Sequence, residues 1–212
     1  HGSYDFKGTL TVGYIEAGLV SEESVAERKH IYRLLARIWI REVDRNLIME
    51  LSQTPLKESF MAAGVLLPKD AGKATMEQLA IDYCQLFLGP KDHFPPCQSV
   101  WQTGQFQSEV VTSVRKFIEI GDYPEQYIPD GAMLDHLGVQ LDVMGHLLDH
   151  IDMLPDDTDG ADQIWELIHS FYAAHLMWPS DLFDAVIKRA ETDFYRSFVT
   201  MTQTFLNSEQ RL

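Results

Sequence analysis

The stretch that decides the fold is 83-YCQLFLGPKDHFPPCQSVW-101, where a helical pattern gives way to a proline-braced loop. Gly89-Pro90 ends the helix, because proline cannot continue it and glycine tolerates the turn. Pro95-Pro96 then holds the backbone extended, since each ring fixes φ and restricts the residue before it. We expect a rigid loop that presents Trp101. Such a loop suits a surface that binds a partner; the alternative is an indole folded back into the core.

The hydrophobic pattern on both sides of this stretch is helical. Apolar residues recur three and four residues apart, and no alternating strand pattern of useful length is present. Ser24 to Glu27 matches a capping box ahead of the first helix. The sequence therefore predicts an all-α protein. The predicted helices run through residues 24–38, 47–51, 76–88, 108–120, 134–151, 164–172, 182–190 and 194–206.

A change of composition divides the chain near its middle. Residues 121–131 are rich in Gly, Pro and Asp and are typical of a linker. We predict a single helical domain made of two subdomains, 4–121 and 132–212, joined by a hinge at 122–131. His1-Gly2-Ser3 matches the remnant of an expression tag.

The charge balance limits the kinds of partner. The 212 residues include 17 Lys and Arg against 32 Asp and Glu, for a formal net charge of -15. This charge disfavours nucleic acid and anionic membrane surfaces, whose phosphates would be repelled. It suits a basic partner, or it simply keeps the protein soluble.

The cysteines and the hydrophobic runs indicate a cytoplasmic setting. Two cysteines, Cys84 and Cys97, do not make a disulfide framework, and a reducing cytoplasm is the simplest context. No apolar run approaches a membrane span, and the N-terminus lacks a secretory signal pattern. We expect no stable membrane insertion.

Several histidines lie near acids at spacings that can bind metal. The pairs Glu27…His30 and Glu166…His169 match the Glu-x-x-His motif of di-iron bundles, and a helical metal-binding enzyme is the alternative function. Both pairs also flank apolar stripes and can face solvent, and a real site needs two further glutamates. We therefore predict no metal or cofactor. A third candidate set can chelate a metal on one helix face or form a solvated polar face: His146, His150, Asp142 and Asp149.

Asp135-His136 follows the predicted hinge, and we place it at the first turn of a helix. The carboxylate there either interacts with the helix dipole or lines a cleft between the two halves, where it accepts from an arginine or orients His136. The sequence contains no phosphate loop, no nucleophile elbow and no HExxH motif. We predict that the protein is not an enzyme.

The motifs taken together resemble the TorD/DmsD family of redox-enzyme maturation chaperones. The similarity runs from about Ala80 to Phe205 in the order of the family's motifs, and two departures occur. Ala132-Met133-Leu134 replaces the usual Glu-Pro-x before Asp-His, and Trp178-Pro179 reverses the usual Pro-Trp. The matching segments are Tyr83-x-x-Leu86-Phe87-x-Gly89-Pro90, Pro95-Pro96-x-x-Ser99-Val100-Trp101, Asp135-His136-x-Gly138, His175-Leu176 and Phe194-Tyr195-Arg196.

The resemblance implies a cytoplasmic, non-enzymatic chaperone. Such a chaperone binds the twin-arginine signal peptide of a molybdopterin-containing oxidoreductase subunit, of the DMSO or TMAO reductase type, until the cofactor is inserted. It also implies a monomer or a domain-swapped dimer, which the hinge at 122–131 would permit. The predicted peptide-binding residues are Tyr83, Pro95, Pro96, Ser99, Trp101, Asp135 and His136.

Overall fold

We describe the protein from a computed structural model that covers residues 25–154 and 160–210. All regular secondary structure in these two ranges is helical apart from one isolated β-bridge, which confirms the all-α prediction. The predicted tag remnant 1–3, the capping residue Ser24 and the loop at 155–159 lie outside the described residues. The described helices are α1 (Val25–Ile40), α2 (Arg45–Leu51), α3 (Leu56–Ala62), α4 (Lys73–Tyr83), α5 (Gln98–Thr103), α6 (Glu109–Ile120), α7 (Leu137–Asp152), α8 (Gly160–His175), α9 (Ser180–Arg189) and α10 (Asp193–Glu209).

The helix ends follow the capping residues in the sequence. α4 continues as a π-helical segment, Cys84–Leu88, and stops before Gly89-Pro90 as predicted. Ser108 caps α6 by accepting the N–H of Val110, and Thr192 caps α10 by accepting the N–H of Tyr195.

Two local predictions were wrong. Trp101 does not lie on the proline-braced loop but on α5, because the chain returns to helix immediately after Cys97. Asp135 does not lie in the first turn of α7, which begins at Leu137 with His136 as its N-cap. Both errors have one cause. The segment before Trp101 and the segment around Asp135 are held in place by contacts with each other, and the sequence pattern of either segment alone does not reveal those contacts.

The core is continuous across the predicted subdomain boundary. Trp39 of α1 lies at its centre, 1 % exposed, with aromatic rings of both halves of the chain around it: Phe87 at 5.5 Å, Phe183 at 5.6 Å and Phe198 at 6.0 Å. Its Nε1–H donates to Thr202 Oγ1 at 3.3 Å. The division into two subdomains stays a prediction.

Two glycines let α1 and α7 approach closely. A Cβ on Gly138 would lie 2.9 Å from both Cβ and N of Ile40, and one on Gly145 would lie 3.1 Å from Cγ of Arg33. The two positions are seven residues apart and lie on one face of α7. Ion pairs across the same contact join Lys29 to Asp149 at 3.1 Å.

We expect Gly138→Ala to destabilise the protein by about 1–3 kcal/mol, because the added methyl group overlaps backbone atoms that cannot move aside. The measurement is the urea midpoint of unfolding. Gly160→Ala is the control, since a Cβ there meets no atom within 4 Å. Equal midpoints for Gly138→Ala and wild type would contradict this account of the α1–α7 contact.

Candidate functional site

The two central sequence motifs meet in space. The isolated antiparallel bridge joins Cys97 to His136. On one side of it the N–H of Gln98 donates to the carbonyl of Asp135 at 3.0 Å, and on the other the N–H of Leu137 donates to the carbonyl of Pro96 at 2.7 Å. The proline-braced segment and the start of α7 therefore form one unit.

Asp135 fastens this unit through its side chain. The carboxylate is fully buried, and Oδ2 accepts the backbone N–H of Ser99 at 2.7 Å, within the first turn of α5. A negative charge at this end satisfies a free N–H and complements the helix dipole. The other oxygen, Oδ1, and the Ser99 hydroxyl are also buried, and neither has a hydrogen-bond partner within the described ranges. Asp135 thus positions α5 from inside the protein.

His136 is held in its neutral form beside Asp135. Its Nδ1 accepts the N–H of Gly138 at 3.0 Å, which caps α7 and leaves any ring proton on Nε2. Burial lowers the pKa of His136 to about 4, although the charge of Asp135 acts in the opposite direction. The ring is therefore uncharged at neutral pH.

A buried polar network lies behind the bridge and connects four helices. Gln98 Oε1 accepts from Gln140 Nε2 at 2.7 Å and from His175 Nδ1 at 2.9 Å. Trp178 Nε1–H donates to Gln140 Oε1 at 2.9 Å, and Ser113 Oγ lies 3.0 Å from His175 Nε2. Gln98 Nε2 donates to a backbone carbonyl of α8 at 2.8 Å. These bonds link α5, α6, α7 and α8 to the segment before α9.

The network assigns one tautomer to His175. Because a glutamine oxygen only accepts, Nδ1 carries the proton, and Nε2 accepts from the hydroxyl of Ser113. Burial lowers the pKa of His175 to about 4, with Asp135 acting in the opposite direction. The neutral ring therefore fits the network without an extra proton.

The surface of the unit carries aromatic rings. Trp101 is half-buried, its Nε1–H donates to the carbonyl of Pro95 at 2.8 Å, and its ring lies 6.3 Å from that of Phe94. The exposed Arg189 of α9 places its guanidinium 5.5 Å from the Phe94 centroid and donates to the carbonyl of Asp92 at 2.5 Å. The loop therefore binds a guanidinium with an aromatic face and a carbonyl oxygen.

Tyr83 lies apart from the other predicted site residues. It is buried in the aromatic core, 5.0 Å from Phe87 and 5.9 Å from Tyr195, and its hydroxyl donates to the carbonyl of Trp39 at 3.4 Å. Burial raises its pKa. The structure groups the remaining six predicted residues: Pro95, Pro96, Ser99, Trp101, Asp135 and His136.

Sequence reasoning missed the polar network and the arginine over the loop. Gln140 had a detectable signal, because it is a polar residue inside the apolar face of α7. Gln98 and Ser113 had no such signal, because their partners Gln140 and His175 are distant in sequence. Arg189 is distant in sequence from Phe94.

The Glu-x-x-His pairs do not form a site. Glu166 and His169 are exposed on α8, where His169 stacks on Trp165 at 5.8 Å. His30 bonds through Nδ1 to the carbonyl of Ala26 in its own helix. Over residues 25–154 and 160–210, no group of three or more His, Cys, Asp or Glu side chains could hold a metal ion.

A family model described as "Nitrate reductase delta subunit" matches residues 49–184, more than half of the chain. The chain belongs to this family. Two curated relatives are both named as chaperones. "Chaperone protein YcdY" of Escherichia coli K12 is 26 % identical over 182 residues, 83 % of this chain and 90 % of its own length. "Chaperone protein TorD" of Shewanella pealeana is 26 % identical over 210 residues, 86 % of this chain and 87 % of its own length.

The fold agrees with a solved structure. A redox enzyme maturation protein from Archaeoglobus fulgidus superposes with a TM-score of 0.51 at 17 % identity, covering 91 % of this chain and 99 % of that one. These matches confirm the resemblance to the TorD/DmsD family. Its family and the two relatives named as chaperones make the protein a chaperone of the TorD family rather than an enzyme. No helix among the described residues is both long and apolar enough to cross a bilayer.

We expect Asp135→Ala to destabilise folding by roughly 1.5–3 kcal/mol, because the buried N–H of Ser99 loses a charged acceptor. Asp135→Asn keeps an oxygen at this position and should cost less. The urea midpoints of both variants measure the effect, with the exposed Asp130→Ala as control. If Asp135→Ala unfolds at the wild-type midpoint, the carboxylate does not hold the unit together.

Because His175 is buried in its neutral form, the free energy of unfolding should fall as the pH is lowered. Its folded pKa of about 4 is below the ordinary value, so its contribution is complete above about pH 6.5 and is lost as the pH falls toward 4. The loss is on the order of 3 kcal/mol. Urea titrations from pH 7 to 4 measure it, and His175→Gln should reduce the slope, while the similar contribution of His136 remains. The exposed His169→Gln should keep the wild-type loss; equal slopes for all three proteins would exclude this role of His175.

Proposed function

We propose that this chaperone binds the twin-arginine signal peptide of a molybdopterin-containing oxidoreductase subunit, of the DMSO or TMAO reductase type. It acts in the cytoplasm and retains the subunit until the cofactor has been inserted. The membership in the nitrate reductase delta subunit family and the two relatives named as chaperones support a redox-enzyme client.

The guanidinium over Phe94 is the observation that carries the proposal. Arg189 is an arginine of the chain itself, yet it lies against the loop as a peptide arginine would, over a ring and bonded to the carbonyl of Asp92. Arginine recognition needs an aromatic face and oxygen acceptors in a fixed arrangement. The loop provides both.

An apolar surface lies next to this contact. The half-buried Trp101 offers part of its ring, and Phe94 packs beside it. The apolar stretch that follows the arginine pair of a signal peptide fits such a surface, where aromatic anchors supply most of the binding energy. The backbone below is rigid because the N–H of Phe94 donates to Leu86 and the indole of Trp101 bonds to Pro95.

The buried residues act indirectly. Asp135 is fully buried and bonded to Ser99, so we assign it to the position of α5 and thereby of Trp101. His136 and Pro96 hold the same bridge. The predicted direct arginine contact of Asp135 is replaced in this proposal by the acceptors of the loop.

The net charge of -15 contributes to the encounter. A peptide with paired arginines is attracted over about 8 Å at physiological salt, which affects association more than dissociation. A domain-swapped dimer through 122–131 stays a prediction.

We expect Trp101→Ala to weaken the binding of a synthetic twin-arginine signal peptide by on the order of 2 kcal/mol, since it removes an aromatic anchor. Stability should change less, because the side chain is only half-buried. Calorimetry with candidate signal peptides gives the affinity, and urea unfolding gives the stability.

Trp165→Ala is the matched control for this prediction. Trp165 is also half-buried but lies on α8 beside His169, so its truncation should leave peptide affinity unchanged. A second peptide with both arginines replaced by glutamine tests the charge. Wild-type affinity in Trp101→Ala, or equal binding of the two peptides, would disprove the proposed site.

A further inference from the structure

Two histidines of α7 converge on a single carbonyl oxygen. His146 and His150 are one helical turn apart and both half-buried. Their Nε2 atoms lie 3.3 Å from each other, and each lies 3.1 Å from the carbonyl oxygen of Gly121. The rings stand perpendicular, at 89°. From the sequence we predicted either a metal chelate or a solvated polar face at this position, and neither alternative is settled by the half-burial of the two rings.

The spacing of these three atoms matches one face of a metal coordination tetrahedron. Zinc binds imidazole nitrogen at about 2.0–2.1 Å, which puts neighbouring ligand atoms about 3.3 Å apart in a tetrahedral site. The observed separations of 3.3, 3.1 and 3.1 Å come close to this value. An ion on the open side of the triangle would be within bonding distance of all three atoms.

We propose that Nε2 of His146, Nε2 of His150 and the carbonyl oxygen of Gly121 bind one divalent transition-metal ion of the zinc class. Two histidines at i and i+4 present their nitrogens on one helix face, a spacing found in zinc sites. Imidazole suits zinc, copper and nickel. Because the protein supplies only three donors here, water completes the coordination and the ion exchanges readily.

Packing and hydrogen bonds fix the position of the His146 ring. The carbonyl oxygen of Gly121 only accepts, so an imidazole Nε2–H donates to it in the metal-free protein, and a bound metal ion displaces that proton to solvent. The ring of Tyr123 packs edge-on against His146 at 5.3 Å, and the Tyr123 hydroxyl donates to Asp142 at 2.5 Å. The position of the first ring is thus fixed without an ion.

The bound ion would tie the start of the hinge to α7. Gly121 ends α6 and directly precedes the predicted hinge 122–131. A metal bond from its carbonyl to two side chains of α7 fixes that end of the segment. The inference does not depend on the proposed peptide site, which lies on Phe94, Trp101 and Arg189.

The test is a calorimetric titration of the purified, metal-stripped full chain with zinc chloride. We expect one ion per chain. The variant His146→Gln/His150→Gln should lose affinity by more than tenfold, because even an outer-shell change costs about 10–100-fold. His30→Gln/His169→Gln is the matched control and should bind as wild type does, since these histidines lie outside the triangle.

Imidazole nitrogen spectra of the ¹⁵N-labelled wild-type chain test the same binding with both proposed ligands in place, and the single variants serve only to assign the resonances. Zinc should shift the resonances of two histidines only, those absent from the spectra of His146→Gln and His150→Gln. No zinc uptake below millimolar concentration overturns the proposal. Zinc-induced shifts confined to other histidines, or equal zinc affinity of the two double variants, overturn it as well.

Discussion

The arrangement of the site depends on one buried contact, the hydrogen bond from the Ser99 N–H to the Asp135 carboxylate. It is supported by backbone bonds on both sides, from Gln98 to Asp135 and from Leu137 to Pro96. A charged acceptor at the end of a helix, shielded from water, makes a strong and directional bond. Because the contact joins segments 36 residues apart, it fixes the direction in which α5 presents Trp101.

The polar network extends this rigidity into the bundle. Gln98 is bonded to Gln140 and to His175, and each oxygen and nitrogen of the two side-chain amides has at least one hydrogen-bond partner. A satisfied buried network specifies one packing, whereas a partly satisfied one is costly. The family motifs around His175 and Trp178 therefore have a structural explanation: they complete the support behind the proline-braced segment.

The surface above this support combines two kinds of binding chemistry. Phe94 and Trp101 give an aromatic face, and the carbonyl of Asp92 gives an acceptor that Arg189 already uses. The replacement of Glu-Pro by Ala132-Met133 removes a carboxylate next to the bridge. Ala132 instead packs against the core, and Met133 accepts the N–H of His136 at 3.0 Å.

The sequence by itself determined the helical class, most helix positions, the stop at Gly89-Pro90 and the family, because these depend on local periodicity, on proline geometry and on the order of short motifs. It also named six residues that the structure brings together. Only the tertiary structure decided that Tyr83 belongs to the core, that Trp101 is helical and that Asp135 faces inward to Ser99. It alone placed Arg189 over Phe94 and both histidines of α7 against Gly121. These contacts join residues distant in the chain, and a hydrogen bond between remote segments leaves no periodic pattern in either of them.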